Sequence, residues 1–531
     1  MENSRRKFWG WGIEEADLTA EEKKHLVERM EDLFDISGLS PDPHPKLSEI
    51  IFPKVNVTPP ESLKNIFDDS DYERAAHTYG KAFPDIVRAY KRDFSNAPDL
   101  VAFPRKEQDI VDILDWCSSE KVAAIPYGAG SSVVKGVEPD VGSYYKGTVS
   151  IDMRNLNEIV EIDKKSRAAN IQAGIYGPRL ESGLKPHGLT LRHFPQSFEY
   201  STLGGWIATR SGGHYATLYT HIDEFVENLR VISPSGIIES LRMCGSGAGP
   251  SPDRFFIGSE GALGIITSAW MRLQDRPKYR ANSALTFPDF ISASEAVRAI
   301  SQAGLYPSNI RILDEKEAYF NGVTDGSVSV MVLGFESADH ELDAWMSRAL
   351  ECAFDHGGKL PDQSGSGGNT HRDGMAGAWR DAFIRMPYVW EALVAMGMIT
   401  ETYESAITWD RFEEFHNTVL EETNKVVKEV CGQEGFLSCR FTYVYPDGPS
   451  PYYSLTAPAK KDSQIQMGQE IKDAISECFY KLGGTITHHH AVGRYHDKWY
   501  KKQRPEKFGK VLEAAKGELD PSGIMNPGVI V

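Results

Sequence analysis

Apolar residues recur along this chain with two different periods, and the alternation between them sets the expected architecture. Across residues 107–118, Ile110, Ile113, Leu114 and Cys117 fall three and four positions apart, on one face of a helix. The flanking runs Leu100-Val-Ala-Phe-Pro and Val122-Ala-Ala-Ile-Pro are short, apolar and closed by proline, the pattern of buried strands. Further strands are predicted over 147–152, 168–173, 264–269 and 327–335. Amphipathic helices are predicted over 339–356 and 409–431. Strand, helix, strand and then a glycine loop is an α/β pattern, here of mixed α/β and α+β character.

The texture of the chain divides it into four. Residues 1–90 are acidic and helix-leaning, with Thr19 and Glu22 spaced as a capping box and Pro41, Pro43 and Pro45 interrupting. They are expected to be a helical accessory segment outside the catalytic machinery. Residues 91–275 form a glycine-rich α/β domain. Residues 276–490 return to β-α-β texture with fewer glycines. Residues 491–531 are a turn-rich tail that completes the first domain. The Gly/Ser-rich stretch 363–369 is expected to be a mobile loop. No internal sequence repeat is evident.

Charge and composition narrow the function. A net charge of −17 excludes a general binder of nucleic acid or anionic membrane, while leaving room for a local basic pocket. Membrane contact is peripheral at most. The six cysteines are scattered and read as reduced thiols. No apolar run near 18 residues and no secretory h-region stand out, so a cytoplasmic protein is expected, with a homodimer as the base-rate assembly.

Three loops carry candidate chemistry. Pro126-Tyr-Gly-Ala-Gly-Ser-Ser leaves a predicted strand and can aim backbone N–H groups and the Ser131 and Ser132 hydroxyls at a phosphate. It reads equally as a tight turn and matches no standard nucleotide motif. Phe194-Pro-Gln-Ser-Phe-Glu-Tyr-Ser-Thr-Leu-Gly-Gly interleaves hydroxyls with glycines, as does the Thr209-Arg-Ser-Gly-Gly that follows. Gly258-Ser-Glu-Gly-Ala-Leu-Gly places a glycine turn before a buried strand.

Taken in this order and spacing, the loops resemble the FAD-binding domain of the vanillyl-alcohol oxidase / p-cresol methylhydroxylase (PCMH) flavoproteins. The resemblance implies FAD as cofactor. It assigns to FAD Pro126, Tyr127, Gly128, Ala129, Gly130, Ser131 and Ser132, then Gln196, Ser197, Ser201 and Thr202. Thr209, Arg210 and Ser211 follow, and then Glu260, Gly261, Gly264 and Ile265. Ser131 stands where covalently flavinylated relatives often carry histidine, so the FAD is expected to be non-covalent.

Within that family the chain resembles the alkyldihydroxyacetonephosphate synthases. The likeness runs from Trp9-Gly-Trp-Gly through His193, Pro307-Ser-Asn-Ile-Arg-Ile-Leu-Asp and Cys439-Arg-Phe-Thr to Gly483-Gly-Thr-Ile-Thr-His-His-His. It implies catalytic roles for Tyr452 as acid/base, for Arg311, for His193 and for at least one of His488, His489 and His490. Read on their own, the three histidines suit proton transfer, a solvated strand end or a metal site. On a strand, His488 and His490 would face one side and His489 the other. With no carboxylate or thiol at a suitable spacing, no metal is expected. One departure stands out: Trp390 occupies the place of the synthases' phosphate-binding arginine, with Glu391 where they carry aspartate. An indole offers one N–H and no charge in place of a bidentate guanidinium. Arg385, five residues earlier, is the nearest possible substitute, although helical geometry puts it on another face.

Two functions follow. Trp390 and the apolar stretch after it favour an FAD-dependent oxidoreductase that takes hydride from a hydroxyl-bearing, relatively apolar, small or lipid-like substrate. The overall resemblance implies the alternative, ether-lipid synthesis by acyl-to-alkyl exchange with the flavin as covalent handle.

Overall fold

The computed structural model describes residues 5–219, 221–361, 374–460 and 462–531; the loop expected to be mobile, 363–369, lies outside them. Helix Ala20–Phe34 starts at a reciprocal box, in which Thr19 Oγ1 accepts from Glu22 N–H at 3.2 Å and the Glu22 carboxylate accepts from Thr19 N–H at 2.7 Å. Beyond it the chain forms no helix or strand from 36 to 60 apart from the short turn Leu47–Glu49. Prolines at 41, 43, 45, 53, 59 and 60 remove the N–H groups that helical hydrogen bonds would need and push the residue before each out of the helical region.

Helix Glu107–Glu120 buries the predicted quartet Ile110, Ile113, Leu114 and Cys117. It connects two strands of a four-stranded sheet ordered Phe67–Asp68, Leu100–Ala102, Gly147–Asp152, Val122–Tyr127, the last three parallel. The far C-terminus returns to this sheet: Ala124 N–H donates to Ile524 C=O, and Asn526 N–H donates to Ala124 C=O. A second, antiparallel sheet of five strands holds Ala168–Gln172 and Ile265–Arg272 at its middle. Its core also takes in Val492, Leu512, Val529 and Ile530.

The second half of the chain folds into one six-stranded antiparallel sheet. Its order is Tyr279–Phe287, Ser329–Ser337, Asn309–Leu313, Phe436–Tyr445, Gly448–Pro458, Met398–Glu404. Each half of the sheet runs strand, helix, strand, strand, the first half adding helix Glu315–Phe320 before its last strand, and in each the third strand is inserted between the first two. Helices Phe290–Gln302 and Trp409–Cys431 occupy equivalent places. The β-α-β texture is therefore a split unit used twice, joined where Leu313 pairs with Arg440. This duplication of topology is absent from the sequence because the two units share a strand order and no residue pattern. No helix among the described residues is long and apolar enough to cross a membrane.

Candidate functional site

The three glycine loops converge on one trench. It consists of cavities of about 240 and 100 Å³ that share Gly128, Ser132, Thr202, Gly205 and Thr209 in their walls. The approach is close: a Cβ on Gly128 would lie 2.4 Å from Thr202 Oγ1. One on Gly261, at φ +79°, would lie 2.8 Å from the Pro126 ring. Among the described residues, none accepts a hydrogen bond from the backbone N–H groups of Ala129, Gly130, Ser131 or Ser132. Consecutive unpaired amides in a glycine loop are a nest for a phosphate, so the chain fits the pyrophosphate-bearing cofactor the loops imply.

Seventeen of the eighteen residues assigned to the cofactor border this trench: 126–132, 196, 197, 201, 202, 209, 211, 260, 261, 264 and 265. Arg210 does not. Its φ of +51° turns the side chain outward, where it pairs with Asp223 beside a different cleft. Glu260 borders the trench, but its carboxylate is spent on Val492 N–H at 2.8 Å and Gly493 N–H at 2.9 Å, tying the C-terminal segment to the third loop.

The larger cavity is floored by the six-stranded sheet. Glu404, Tyr452 and Arg440 lie opposite one another on three adjacent strands. A register shift between Phe441 and Tyr443 follows, and a bulge of this kind re-aims side chains. As a result the neighbours Thr442 and Tyr443 both reach the cavity. Arg311, on Asn309–Leu313, is 1% exposed, and its Nε and Nη1 have no hydrogen-bond partner. Burial pushes its pKa down to about 10, which leaves it a cation at neutral pH. Its guanidinium sits 5.1 Å over the Phe383 ring. A buried guanidinium with unused donors is a site waiting for an acceptor.

The histidine triplet forms no strand, which corrects the two-sided reading of it. It wraps instead around one carboxylate. Glu404 accepts the backbone N–H groups of His488 at 2.6 Å, His489 at 3.2 Å and His490 at 3.0 Å. Because the chain curls, the neighbours His489 and His490 border the same cavity as Tyr452, while His488 faces away into the second cleft. Glu404 is buried, which alone would raise its pKa. His489 and the other two histidines overcome this and hold it well below the usual carboxylate range. Burial holds His488 and His490 well below the ordinary histidine range. Glu404, His488 and His489 also have ligand atoms close enough to share a metal ion. A carboxylate therefore does stand beside the triplet, supplied by a residue 84 positions away.

Helix Gly374–Ala395 closes the cavity with Phe383, Met386, Pro387 and Trp390, spaced as one helical stripe. Trp390 thus faces the cavity. Arg385 does not: it lies on the outer face and pairs with Glu22 of helix Ala20–Phe34, so it cannot stand in for the missing arginine. Glu391 is buried and accepts from Lys7 Nζ, Trp11 N–H and Tyr90 OH, locking the N-terminal segment in place.

That segment is not accessory. Trp11, Lys81 and Ile86 border the cavity. The Lys81 ammonium has no hydrogen-bond or salt-bridge partner among the described residues, while its backbone N–H donates to Ser132 C=O, and burial pushes its pKa down to about 8. The only signal in the sequence is the lysine after Gly80, ahead of Ala82-Phe-Pro. Arg440, Thr402 and His214 also border the cavity and were not legible as site residues. His193, by contrast, does not line it. It sits behind Ser211, with Nε2 2.8 Å from the Ser211 hydroxyl. Burial lowers its pKa to about 3, so at neutral pH it is an uncharged imidazole held against Ser211.

Comparison with known proteins bears on this arrangement. Residues 98–242 match the FAD binding domain family, and residues 276–530 match the C-terminal domain of the FAD linked oxidases. The chain is 27% identical to an alkyldihydroxyacetonephosphate synthase of Dictyostelium discoideum, across 98% of this chain and 87% of that one. It is 26% identical to the glycolate oxidase subunit GlcD of Bacillus subtilis (strain 168), across 89% of this chain and 95% of that one. A solved structure of an alkyldihydroxyacetonephosphate synthase superposes with a TM-score of 0.79 at 24% identity, covering 98% of both chains, and so shares the fold.

Proposed function

From a chain that belongs to the vanillyl-alcohol-oxidase/PCMH flavoproteins and uses FAD, we propose the acyl-to-alkyl exchange of the alkyldihydroxyacetonephosphate synthases. In that reaction a long-chain alcohol replaces the fatty acid of an acylated dihydroxyacetone phosphate. The observation that carries this reading is Arg311, a buried cation with two unused donors in the cavity wall, accompanied by the unpaired Lys81. Together they offer a phosphate group the charge that Trp390 does not.

Each residue has a physical part in this reading. The loop amides of 129–132 hold the pyrophosphate of FAD, and bound FAD supplies the electrophilic ring against which the substrate is held. Arg311 and Lys81 bind the substrate phosphate through charge-assisted hydrogen bonds. Phe383, Met386, Pro387, Trp390 and Ile86 give the alkyl chain an apolar wall. Tyr452 keeps its proton because burial raises its pKa despite Arg440, so it serves as the acid/base beside the reacting carbon. His489, whose ring lies 5.9 Å from that of Tyr452, borders the same cavity as a second group able to take a proton.

The test is fatty-acid release from acyl-dihydroxyacetonephosphate by the FAD-loaded protein, with ether product on adding a fatty alcohol. Absence of release from a protein with an intact flavin spectrum rejects the exchange. A second reading, oxidation of an apolar hydroxyl substrate, draws on Trp390 and on the likeness to the glycolate oxidase subunit. Bleaching of the flavin by an alcohol or hydroxy acid under anaerobic conditions supports it, and a flavin that stays yellow across a broad panel removes it.

A further inference from the structure

The wall behind the histidine triplet separates the cavity from a second, larger space. This is a cleft of about 1150 Å³ bordered by His221, Asp223, Tyr445 and His488. Its lining includes the exposed residues Glu224, Arg272 and Phe508, so it opens to solvent. Four side chains cross the wall in hydrogen-bonding sequence. His489, on the cavity side, has Nδ1 3.2 Å from His488 Nδ1. His488 Nε2 lies 3.0 Å from the Tyr445 hydroxyl, and that hydroxyl also meets His221 Nε2.

We propose that His489, His488, Tyr445 and His221 form a proton relay between the cavity beside Tyr452 and the solvent-open cleft. The inference rests on a reaction in the cavity that releases a proton, a property the exchange and the hydroxyl oxidation share.

One set of tautomers satisfies these hydrogen bonds together. His221 also bonds the Arg210 backbone, and in the relay its Nε2 is the acceptor with Tyr445 O–H as the donor. Tyr445 oxygen then accepts from His488 Nε2–H, and the His489 Nδ1–H lies between two acceptors, His488 Nδ1 at 3.2 Å and Glu404 Oε2 at 3.3 Å. That leaves Nε2 of His489, a residue that borders the cavity, as the base.

The steps balance without any other reagent. A proton arriving at His489 Nε2 makes an imidazolium, which Glu404 stabilises from 3.3 Å. Its Nδ1 proton moves to His488 Nδ1. The His488 Nε2 proton moves to Tyr445 oxygen as the Tyr445 proton moves to His221 Nε2. The charge ends on His221, next to Asp223 and at the cleft, where water or buffer removes the proton. Burial keeps His488 and His221 neutral at rest, ready to accept. Tyr443 packs against His221, His488 and His489 and carries no charge at neutral pH, so it holds the rings without draining the relay.

The variants are Tyr445→Phe, which removes one oxygen and keeps the ring, and His221→Gln at the cleft end. With FAD bound, each is expected to lower kcat by about tenfold or more with little change in KM. Millimolar imidazole should restore it in a concentration-dependent way. The same variants are read by ¹⁵N NMR of histidine-labelled holoprotein, which needs no substrate. Tyr445→Phe is expected to move the ring-nitrogen signals of both His221 and His488. A kcat within twofold of wild type, or unchanged nitrogen signals, overturns the relay. If the wild-type protein turns over no substrate, the proposed function fails separately and the nitrogen signals still decide the relay.

Discussion

The guanidinium of Arg440 lies 3.9 Å over the ring of Tyr452, and both side chains face the same cavity. Arg440 is held there by Glu317, and its charge opposes the burial that raises the Tyr452 pKa. The phenol therefore stays protonated at neutral pH yet can pass its proton to a neighbour. Tyr452→Phe keeps the packing under Arg440 and removes the transferable proton. It is expected to lower kcat by about 10²–10⁴-fold, the usual range for one acid/base group, while FAD absorbance stays intact. Steady-state kinetics on the holoprotein check this, and a kcat within threefold of wild type removes Tyr452 from the chemistry.

Glu404 is expected to matter to stability as well as to the site. Its carboxylate takes three consecutive backbone N–H groups, and its folded pKa lies well below the ordinary value. The sign follows from linkage: a depressed carboxylate contributes stability that is present above its unfolded pKa of about 4.3 and is lost as pH falls through the folded value. Glu404→Gln is expected to cost about 2–4 kcal/mol at pH 7, because charge-assisted bonds and a buried histidine pairing are both weakened. Denaturant melts at pH 7 and pH 4 check it. The gap between wild type and variant should narrow at the lower pH, and a gap that widens contradicts the assignment.

How much of this was legible in the sequence follows from the range of each interaction. Helix Glu107–Glu120, its buried quartet and the glycine loops were readable because their signals are local: a period of 3.6, a proline, a run of small residues. Helix Trp409–Cys431 was readable to the residue for the same reason. Glu404 was not, since nothing near position 404 says that its oxygens meet amides 84 residues later. Lys81 was hidden because a lone lysine between short helices gives no period to read, and Trp11 stood in a quoted stretch that gave no sign of facing a cavity. The split sheet reads locally as β-α-β, and only long-range pairing shows that each third strand slips between the first two. Arg385 and Trp390 sit on one helix, and their 500° separation decided which faces the cavity once that helix was placed.

Arg311 gives a prediction of opposite sign for stability and for binding. Its unpaired guanidinium is a cost in the ligand-free protein. Arg311→Met is therefore expected to leave the ligand-free melting temperature unchanged or raised. It should also abolish the stabilisation that dihydroxyacetone phosphate gives the wild-type holoprotein. Thermal melts with and without that compound check both halves. A variant still stabilised to the wild-type extent shows that the anion is held elsewhere.

Lys81 predicts a pH dependence. With a pKa of about 8 in the ligand-free cavity, its charge fades as pH rises through that value. The KM for a phosphate-bearing substrate is expected to climb above pH 8, approaching about tenfold per unit, while kcat changes little. Lys81→Arg should flatten the climb because guanidinium keeps its proton. A KM that is level from pH 7 to 9.5 in the wild type excludes the ammonium from the binding site.

Trp390→Arg separates the two functional readings in a single substitution. Position 390 shares its helical stripe with Phe383 and Pro387, so an arginine there points into the cavity that Arg311 already borders. Without ligand the two cations repel, and the variant should melt lower than wild type. With a phosphate between them the repulsion becomes a clamp. If the exchange is the natural reaction, the KM for acyl-dihydroxyacetonephosphate is expected to fall by about tenfold, roughly 1.4 kcal/mol for one added charge-assisted contact. If hydroxyl oxidation is the natural reaction, the new charge sits against an apolar substrate. Then kcat/KM for flavin bleaching should drop by about tenfold or more, since an unpaired charge must be desolvated on binding. Parallel kinetics with both substrate classes give the answer. A variant that changes neither constant shows that residue 390 touches no substrate, and the departure at this position would then carry no functional weight.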